Sequence, residues 1–421
     1  MIVAVALLVR LGLALGYEPP PFTGDAADFG RHAAALADQG SYPESLATGG
    51  PTAFRPPGYP FVLAAVYELG GRGDTPRAVG ALLGTLAVAL LGFVALRLFD
   101  RRVAVVAMAI AAVFPPLVMV SVAQLSEGLF IVLVLAALAC VLHAPGRMRW
   151  VIAAGALAGA AALTRSNGLV LVVVLLFAVR GTLPRVALVA AALVVIAPWT
   201  VRSSAALDAF VPTTTQLGGA LAGAYNDEAR TDERHPAAWR IPRTEPYAGL
   251  LRPGMNEAEL HSAFLREAVD YAGEHPTYPL VVVFWASVRM LNLADADREE
   301  ASAREAGVGA RFARANRYAF WLLALLAIAG ATTAAARAAP RWVWATPVLL
   351  WFSVAFAIGA TRYRTPVDPF LILLAALAVV RWLPTTQAEE GVSPSGGRSG
   401  STVRGTKLAA VVCQADGPYR A

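Results

Sequence analysis

Long apolar segments recur along this sequence, and they constrain its fold more than any other feature. Several of them exceed the roughly 18 residues that a helix needs to cross a bilayer. Only 15% of the 421 residues are charged, whereas a soluble domain carries about 25%. The sequence therefore predicts an all-α, polytopic membrane protein.

Arginines at the ends of the apolar segments indicate how the chain crosses the membrane. They fall in every second short connection, and positive residues mark the cytoplasmic side of a membrane. This alternation predicts about ten transmembrane helices in the plasma membrane, with both termini in the cytoplasm. The predicted helices are 1–17, 76–98, 103–121, 126–143, 149–164, 166–180, 184–200, 317–337, 341–360 and 366–383. The first is short for a span, so the true start could lie upstream of Met1.

Two further apolar stretches, 58–70 and 277–294, are predicted to lie at the outer face rather than to span. If either crossed the membrane, every later junction would change sides and the arginine pattern would break. The first is also too short to span. We therefore expect juxtamembrane or re-entrant helices there.

The same topology places two large loops, 18–75 and 201–316, on the outer face. In the second loop, Asn256 and Glu259 form the pattern of a helix N-terminus, so a helix is predicted over 256–276. This loop is the part of the chain that we expect to contact the acceptor.

Residues 1–383 form one predicted membrane module, and the Ser/Gly-rich residues 384–421 are predicted to be a disordered cytoplasmic tail. The net charge of +6 comes mostly from arginines at helix ends. Basic clusters interleaved with aromatic residues, which bind nucleic acid, are missing, so we exclude that class of partner. Cysteine and histidine spacings predict no metal ligand, and they leave the use of a divalent cation open.

Five arginines lie at outer helix ends on this topology, against the positive-inside trend. A charge at membrane depth is costly and usually has a partner or a function. A guanidinium binds phosphate through paired hydrogen bonds, although contact with lipid headgroups or a nearby acid is the alternative for each. We predict that they bind a lipid phosphate. They are Arg55, Arg165, Arg202, Arg362 and Arg364.

The stretch "RYRTPVDP" contains residues that fit a structural role and residues that fit phosphate binding. Thr365, Pro366 and Asp368 form the pattern of a helix start, which predicts a structural role for Asp368. Arg362 and Arg364 precede that start, where a helix N-terminus adds positive potential. We therefore expect this turn to bind phosphate.

Acidic residues on the same face are candidate catalytic groups. In "GDAADFGRH", a helix over 25–40 would place Asp25 and Asp28 on one side. They could form a helix start, with Asp25 as N-cap and Asp28 at N3 paired with Arg31. A carboxylate here could also act as a general base toward a hydroxyl that attacks a sugar C1. Glu127 begins another helix, where it could cap the first turn or support the substrate-binding residues.

Four motifs occur in the order found in the GT-C superfamily of membrane glycosyltransferases. They are "GDAADF" (24–29), "AFRPPGYPFVLAAVYELGG" (53–71), "APWTVRSS" (197–204) and "RYRTPVDP" (362–369). The chain resembles the bacterial family that includes protein O-mannosyltransferases and lipid A aminoarabinose transferases. The resemblance implies transfer of a sugar, a hexose or pentose, from polyprenyl phosphate to an envelope acceptor.

This resemblance also assigns roles to residues. The catalytic acid falls on Asp25, with Asp28 second, and the basic residue before paired prolines falls on Arg55. The chain departs from many relatives because its acids are not adjacent and because Phe29 stands where tyrosine is frequent. Those departures leave the acceptor and any metal use open. The phosphate-binding positions fall on Arg165, Arg202, Arg362 and Arg364.

Two other functions compete with the enzyme. A transporter or lipid flippase would also need intramembrane charges, but the sequence predicts neither an inverted repeat nor a broken helix pair with midplane charges. A non-catalytic subunit of an envelope assembly would use the outer carboxylates only as caps. The favoured partners are therefore a polyprenyl-phosphate sugar, the bilayer, and an envelope lipid, glycan or protein acceptor.

Overall fold

The computed structural model describes residues 1–16, 23–305 and 309–383, and every regular element in these ranges is helical. The all-α fold class is confirmed, whereas the tail predicted over 384–421 lies outside the described residues. Short 3-10 turns occur at Ser166–Gly168, Tyr247–Gly249 and Thr361–Arg364. The α-helices are α1 (Ile2–Gly16), α2 (Gly24–Gln39), α3 (Gly58–Glu68), α4 (Thr75–Leu98), α5 (Arg101–Val113), α6 (Pro115–Val122), α7 (Glu127–His143), α8 (Met148–Thr164), α9 (Leu169–Ala178), α10 (Thr182–Leu207), α11 (Gln216–Ala222), α12 (Asp227–Thr231), α13 (Glu257–Glu274), α14 (Tyr278–Met290), α15 (Ala296–Glu305), α16 (Ala310–Ala331), α17 (Ala334–Ala338), α18 (Arg341–Ala355) and α19 (Asp368–Trp382).

Each predicted membrane segment is helical, but the number of spans stays a prediction. By length and composition, α4 and α10 are long and apolar enough to cross a membrane. The bent pair α5 and α6 would make a third span if the two were taken together. The two apolar stretches predicted at the outer face form α3 and α14, which are shorter helices.

The continuous helix predicted over 103–121 is wrong, because the chain bends by 57° between α5 and α6. Pro115 and Pro116 begin α6 and lack the N–H groups that the carbonyls of Ala111 and Ala112 would receive in a helix. Arg10 of α1 supplies the missing donors at 3.1 and 2.9 Å. The structure thus contains a broken helix pair with a buried charge, contrary to the expectation used against a transporter.

The bundle is centred on α7, which is apolar and buried on nearly all sides. Small residues let its neighbours pack closely. A Cβ on Gly155 of α8 would lie 2.2 Å from the Leu188 carbonyl of α10, and one on Gly330 of α16 would lie 1.8 Å from that of Leu374. This close packing brings the ends of helices that are distant in sequence to one place beside the N-terminus of α7.

The helices outside the bundle support that same end. Phe29 of α2 packs edge-on against Tyr59 of α3, with 5.2 Å between the ring centroids. The helix predicted over 256–276 is confirmed as α13, which starts with a capping box of Asn256 and Glu259. Residues of α2 and α13, including Phe29 and Phe264, line a cavity beside the bundle.

Candidate active site

A cavity of about 670 Å³ lies where α2, α7, α16 and the turn before α19 meet. One part of its wall is charged, and other parts are apolar, including Met119, Val354 and Ile358. Such a mixture suits a ligand that has both a polar and an apolar portion. The charged lining residues near the N-terminus of α7 are Asp25, Arg55, Glu127, Arg165 and Arg362, and Arg289, Asp295, Arg298 and Glu299 line another part of the cavity.

Asp25 binds two arginines rather than capping its helix. The N-cap of α2 is Thr23, without a side-chain cap, so Asp25 does not have the capping position that was the structural alternative for it. The Asp25 Oδ1 atom accepts a hydrogen bond from Arg55 at 2.6 Å, and its Oδ2 atom accepts one from Arg362. Asp25 and Arg362, which are 337 residues apart in sequence, therefore meet in one ion pair.

Asp28 lies behind Arg55 and does not line the cavity. Its Oδ2 atom accepts from the Arg55 Nε at 2.6 Å, and its Oδ1 atom accepts from Arg31 at 2.9 Å. Its position explains why Asp25 is the better placed of the two carboxylates to reach a ligand. Asp28 holds Arg55 in the orientation that lets Arg55 reach Asp25.

The pKa values of both carboxyl groups reflect these contacts. Burial alone would raise the pKa of Asp25, but the positive charges of Arg362 and Arg55 outweigh it and hold that pKa well below its usual range. For Asp28, burial is again opposed, by a hydrogen bond with His32 and by the charge of Arg55, and the pKa is likewise lowered. Both groups are therefore carboxylates at neutral pH.

A second acid lies across the cavity wall. Glu127 is the first residue of α7, and its Oε1 atom lies 2.9 Å from Arg165 and 4.0 Å from Arg362. The Arg165 and Arg362 guanidinium groups lie 5.1 and 4.9 Å from the centre of the Tyr363 ring. Tyr363 thus positions two cations, and the sequence motif gave no indication of this role.

Arg364 lies outside the cavity, contrary to the prediction that it binds phosphate. Its side chain is fully buried, pairs with Asp368 at 2.9 Å and donates to Asn292 at 2.5 Å. Its guanidinium also packs on the Phe320 ring. Since these partners are all internal, Arg364 joins α19 to the end of α14. The structural role predicted for Asp368 fits this pair, although α19 begins at Asp368 and not after a Thr365 cap.

Arg202 also lies away from the cavity lining. Its guanidinium donates to the Thr52 carbonyl at 2.6 Å and lies over the rings of Tyr42 and Trp199. Thr52 precedes Arg55 by three residues, so Arg202 supports the turn that carries a cavity arginine. Its contribution to phosphate binding is therefore indirect at most.

Several cavity residues escaped sequence reasoning because nothing about them is unusual locally. Asn316 of α16 lines the wall, as do Arg289, Asp295 and Arg298 farther along. Among the described residues, no group of three or more His, Cys, Asp or Glu side chains is arranged to hold a metal ion. The oxygens of Asp25 accept hydrogen bonds from arginines instead.

Comparison with known proteins gives matches in sequence and in fold. A family model described as dolichyl-phosphate-mannose-protein mannosyltransferase matches residues 54–202. This range contains Arg55, Glu127, Arg165 and Arg202. Among curated proteins, none matches the chain significantly in sequence.

Solved structures of one archaeal enzyme share the fold at low sequence identity, and a bacterial enzyme gives a lower TM-score. The apo oligosaccharyltransferase of Archaeoglobus fulgidus superposes with a TM-score of 0.54 at 14% identity, over 90% of this chain and 50% of that one. The same archaeal enzyme, AglB, with an inhibitory peptide and a dolichol-phosphate gives 0.51 at 13% identity, over 90% and 50% of the chains. ArnT from Cupriavidus metallidurans bound to undecaprenyl phosphate gives 0.42 at 19% identity, over 90% and 77%.

The chain thus spans about half the length of the archaeal enzyme that it matches. The resemblance to GT-C membrane glycosyltransferases is confirmed by the family model and by the shared fold. The fold is that of a polytopic membrane protein.

Proposed function

We propose that the protein is a membrane glycosyltransferase that moves a hexose or pentose from a polyprenyl-phosphate donor to an envelope acceptor. The acceptor is a lipid, a glycan or a protein at the outer face. The observation that carries this proposal is the meeting of Asp25 with Arg55 and Arg362 in one large, partly apolar cavity. The family model over residues 54–202 supports the same reaction class.

Arg362 and Arg165 are the groups that we assign to the donor phosphate. Both line the cavity beside Tyr363, and a guanidinium fork matches the geometry of a phosphate. In the absence of phosphate their charges are balanced by Asp25 and Glu127. An incoming phosphate therefore competes with these carboxylates for the arginines. The apolar wall near Val354 and Ile358 suits the prenyl chain.

Asp25 is the group that we assign as the general base. The acceptor hydroxyl attacks the sugar C1 atom, the bond from C1 to the phosphate oxygen breaks, and the hydroxyl proton moves to the Asp25 carboxylate. The polyprenyl phosphate leaves with the bonding electrons, and the arginines stabilise its charge. A carboxylate paired with two arginines is a weak base. When phosphate draws Arg362 away, the basicity of Asp25 rises.

The competing assignment, an assembly subunit in which the carboxylates only cap helices, explains this site less well. Asp25 accepts from arginines rather than from the N–H groups of its own first turn. Burying charged groups around a cavity costs stability, which a purely structural role does not require. Function at a ligand site accounts for that cost.

The substitution Asp25→Asn tests the assignment, because it keeps the side-chain size but removes the proton acceptor. We expect transfer to fall by about 100-fold or more, and Asp28→Asn to lower it less. Polyprenyl-phosphate binding should be unchanged or tighter, because Arg362 loses a competing anion. Asp38→Asn, on the exposed part of the same helix, is the matched control. Near-wild-type turnover of purified Asp25→Asn protein would exclude Asp25 as the base.

A further inference from the structure

We infer that Asn316 and the second carboxylate oxygen of Glu127 form a subsite that binds hydroxyl groups of the donor sugar. This inference rests on the proposed function, and it names the part of the cavity that recognises the sugar rather than the phosphate.

Asn316 is a buried amide whose hydrogen-bonding capacity is mostly unused. It lies on α16, is 3% exposed and lines the cavity. Its Nδ2 contacts the Met119 sulfur at 3.4 Å, which is a weak acceptor. Its Oδ1 has no protein partner. A buried polar group without a partner is costly, and such groups are rare in folded proteins unless a ligand or water completes them.

Glu127, on another part of the wall, also has a buried oxygen without a hydrogen-bond partner. It is 1% exposed, and its Oε1 atom is bound to Arg165. Its Oε2 atom is buried without a protein donor. Met119 on α6, which contacts Asn316, also lines the cavity. Two residues that line one cavity therefore each hold a buried oxygen acceptor without a protein partner.

The chemistry of these atoms identifies the part of the donor that fits them. Both are acceptors, so they require a ligand that donates hydrogen bonds. A phosphate diester and a prenyl chain have no O–H or N–H donors, whereas each free hydroxyl of a sugar supplies one. Small side chains, Ala303 and Ala313, line the cavity and leave room for a ring.

Binding of sugar-bearing and sugar-free lipids tests the subsite without requiring turnover. The probes are undecaprenyl phosphate and its mannose, galactose and arabinose derivatives, each titrated against wild-type protein and Asn316→Ala. We expect the wild type to prefer at least one sugar-bearing lipid. The substitution should weaken that binding by about 10- to 100-fold, as for loss of one or two hydrogen bonds. It should leave the affinity for undecaprenyl phosphate within about twofold.

A matched control is Asn167→Ala. Asn167 also lines the cavity, but its amide donates to Ser353 at 3.2 Å. We expect this change to leave the sugar preference intact. One sugar hydroxyl is expected to donate a hydrogen bond to the Asn316 amide oxygen. A monodeoxy donor that lacks this hydroxyl should bind wild-type protein and Asn316→Ala about equally. Thermal unfolding should be unchanged or slightly raised in Asn316→Ala, because an unsatisfied buried group is removed.

Three results would overturn the subsite: equal wild-type binding of all lipids with and without sugar, an unchanged sugar preference in Asn316→Ala, or equal weakening of sugar-bearing and sugar-free lipids. A wild-type protein that discriminates sugars through Asn316 but transfers none of them would retain the subsite and contradict the proposed transferase. The experiments can therefore contradict the sugar subsite and the proposed transferase independently of each other.

Discussion

Asp25 shows how single contacts set the behaviour of the site at the residue scale. Its side chain is 28% exposed, so it reaches the cavity while bound to Arg55 and Arg362. The charges of Arg362 and Arg55 hold the pKa of Asp25 below its usual range, which fixes how the stability of the fold depends on pH. The ion pairs stabilise the fold above the usual aspartate pKa of about 3.9, and this contribution is lost as pH falls through the lower pKa of the folded protein.

The same contacts predict how transfer depends on pH. In the free enzyme Asp25 stays ionised through the neutral range, so kcat/KM should have no acidic limb from Asp25 above about pH 4. When phosphate draws Arg362 from Asp25, the carboxylate becomes more basic, so the acidic limb of kcat should lie at higher pH. Both profiles should be measured for wild-type protein and for Asp38→Asn. Coincident acidic limbs would contradict the competition between phosphate and Asp25.

At the scale of elements, the turn that carries Arg55 is held from several directions. Glu257 of α13 accepts from the Thr52 hydroxyl at 2.6 Å, the Ala53 N–H at 2.8 Å and the Thr215 hydroxyl at 2.6 Å. The Thr52 carbonyl accepts from Arg202. The segment that carries α13 is therefore part of the site, because Glu257 positions the turn that carries Arg55.

Replacing Glu257 by Gln should disturb the site through this turn. The amide keeps the side-chain shape, but its NH2 group cannot accept a hydrogen bond, whereas Oε1 of Glu257 accepts two and Oε2 accepts one. We expect about 1–3 kcal/mol of lost stability and a fall in kcat/KM of about tenfold, with more effect on donor binding than on expression.

Glu259→Gln is the matched control for Glu257→Gln. Glu259 belongs to the capping box on the same first turn, but it is exposed and its carboxylate accepts from the Asn256 N–H instead. Glutamine is tolerated at this capping position, so transfer and unfolding temperature should stay near wild type. If Glu257→Gln behaved like this control, the turn would be held adequately without Glu257.

At the scale of the whole molecule, the arginine-marked turns and the candidate site lie at opposite ends of α7. Arg97, in the last turn of α4, donates to the carbonyls of Leu142 and His143 at the C-terminus of α7. The site begins at Glu127, and α7 has 17 residues, which at about 1.5 Å per residue separates the two ends by about 25 Å. This separation suits arginines on one membrane face and the site on the other.

Reporter fusions test this orientation. We expect fusions at positions 40 and 230 to report the outer side, and fusions at 146 and 390 to report the cytoplasm, because the arginine-rich ends stay inside. A fusion at 100, beside Arg97, should agree with 146. If 230 and 390 reported the same side, an additional segment would span, and the placement of the donor site on the outer face would be wrong.

The sequence alone determined the helices, because a helix in this setting depends on the local length of an apolar run and on local capping residues. The predicted segments from α7 to α9 match the structure to within a few residues, and α13 starts at the predicted capping box. The helix predicted over 103–121 missed the break before Pro115, although paired prolines mark it, and nothing local indicated the partner of the freed carbonyls. Arg10 lies about a hundred residues away in sequence.

Only the tertiary structure decided which charged residues face the cavity. Arg362 and Arg364 are two residues apart in one motif, yet Arg362 reaches Asp25 and Arg364 is buried against Asp368 and Phe320. In a tight turn, residues two apart point in different directions, and their surroundings come from helices far away in sequence. Asn316 is an ordinary residue in a helix until packing buries it without a partner. Local sequence therefore determines the elements, and the packing of distant helices selects the site.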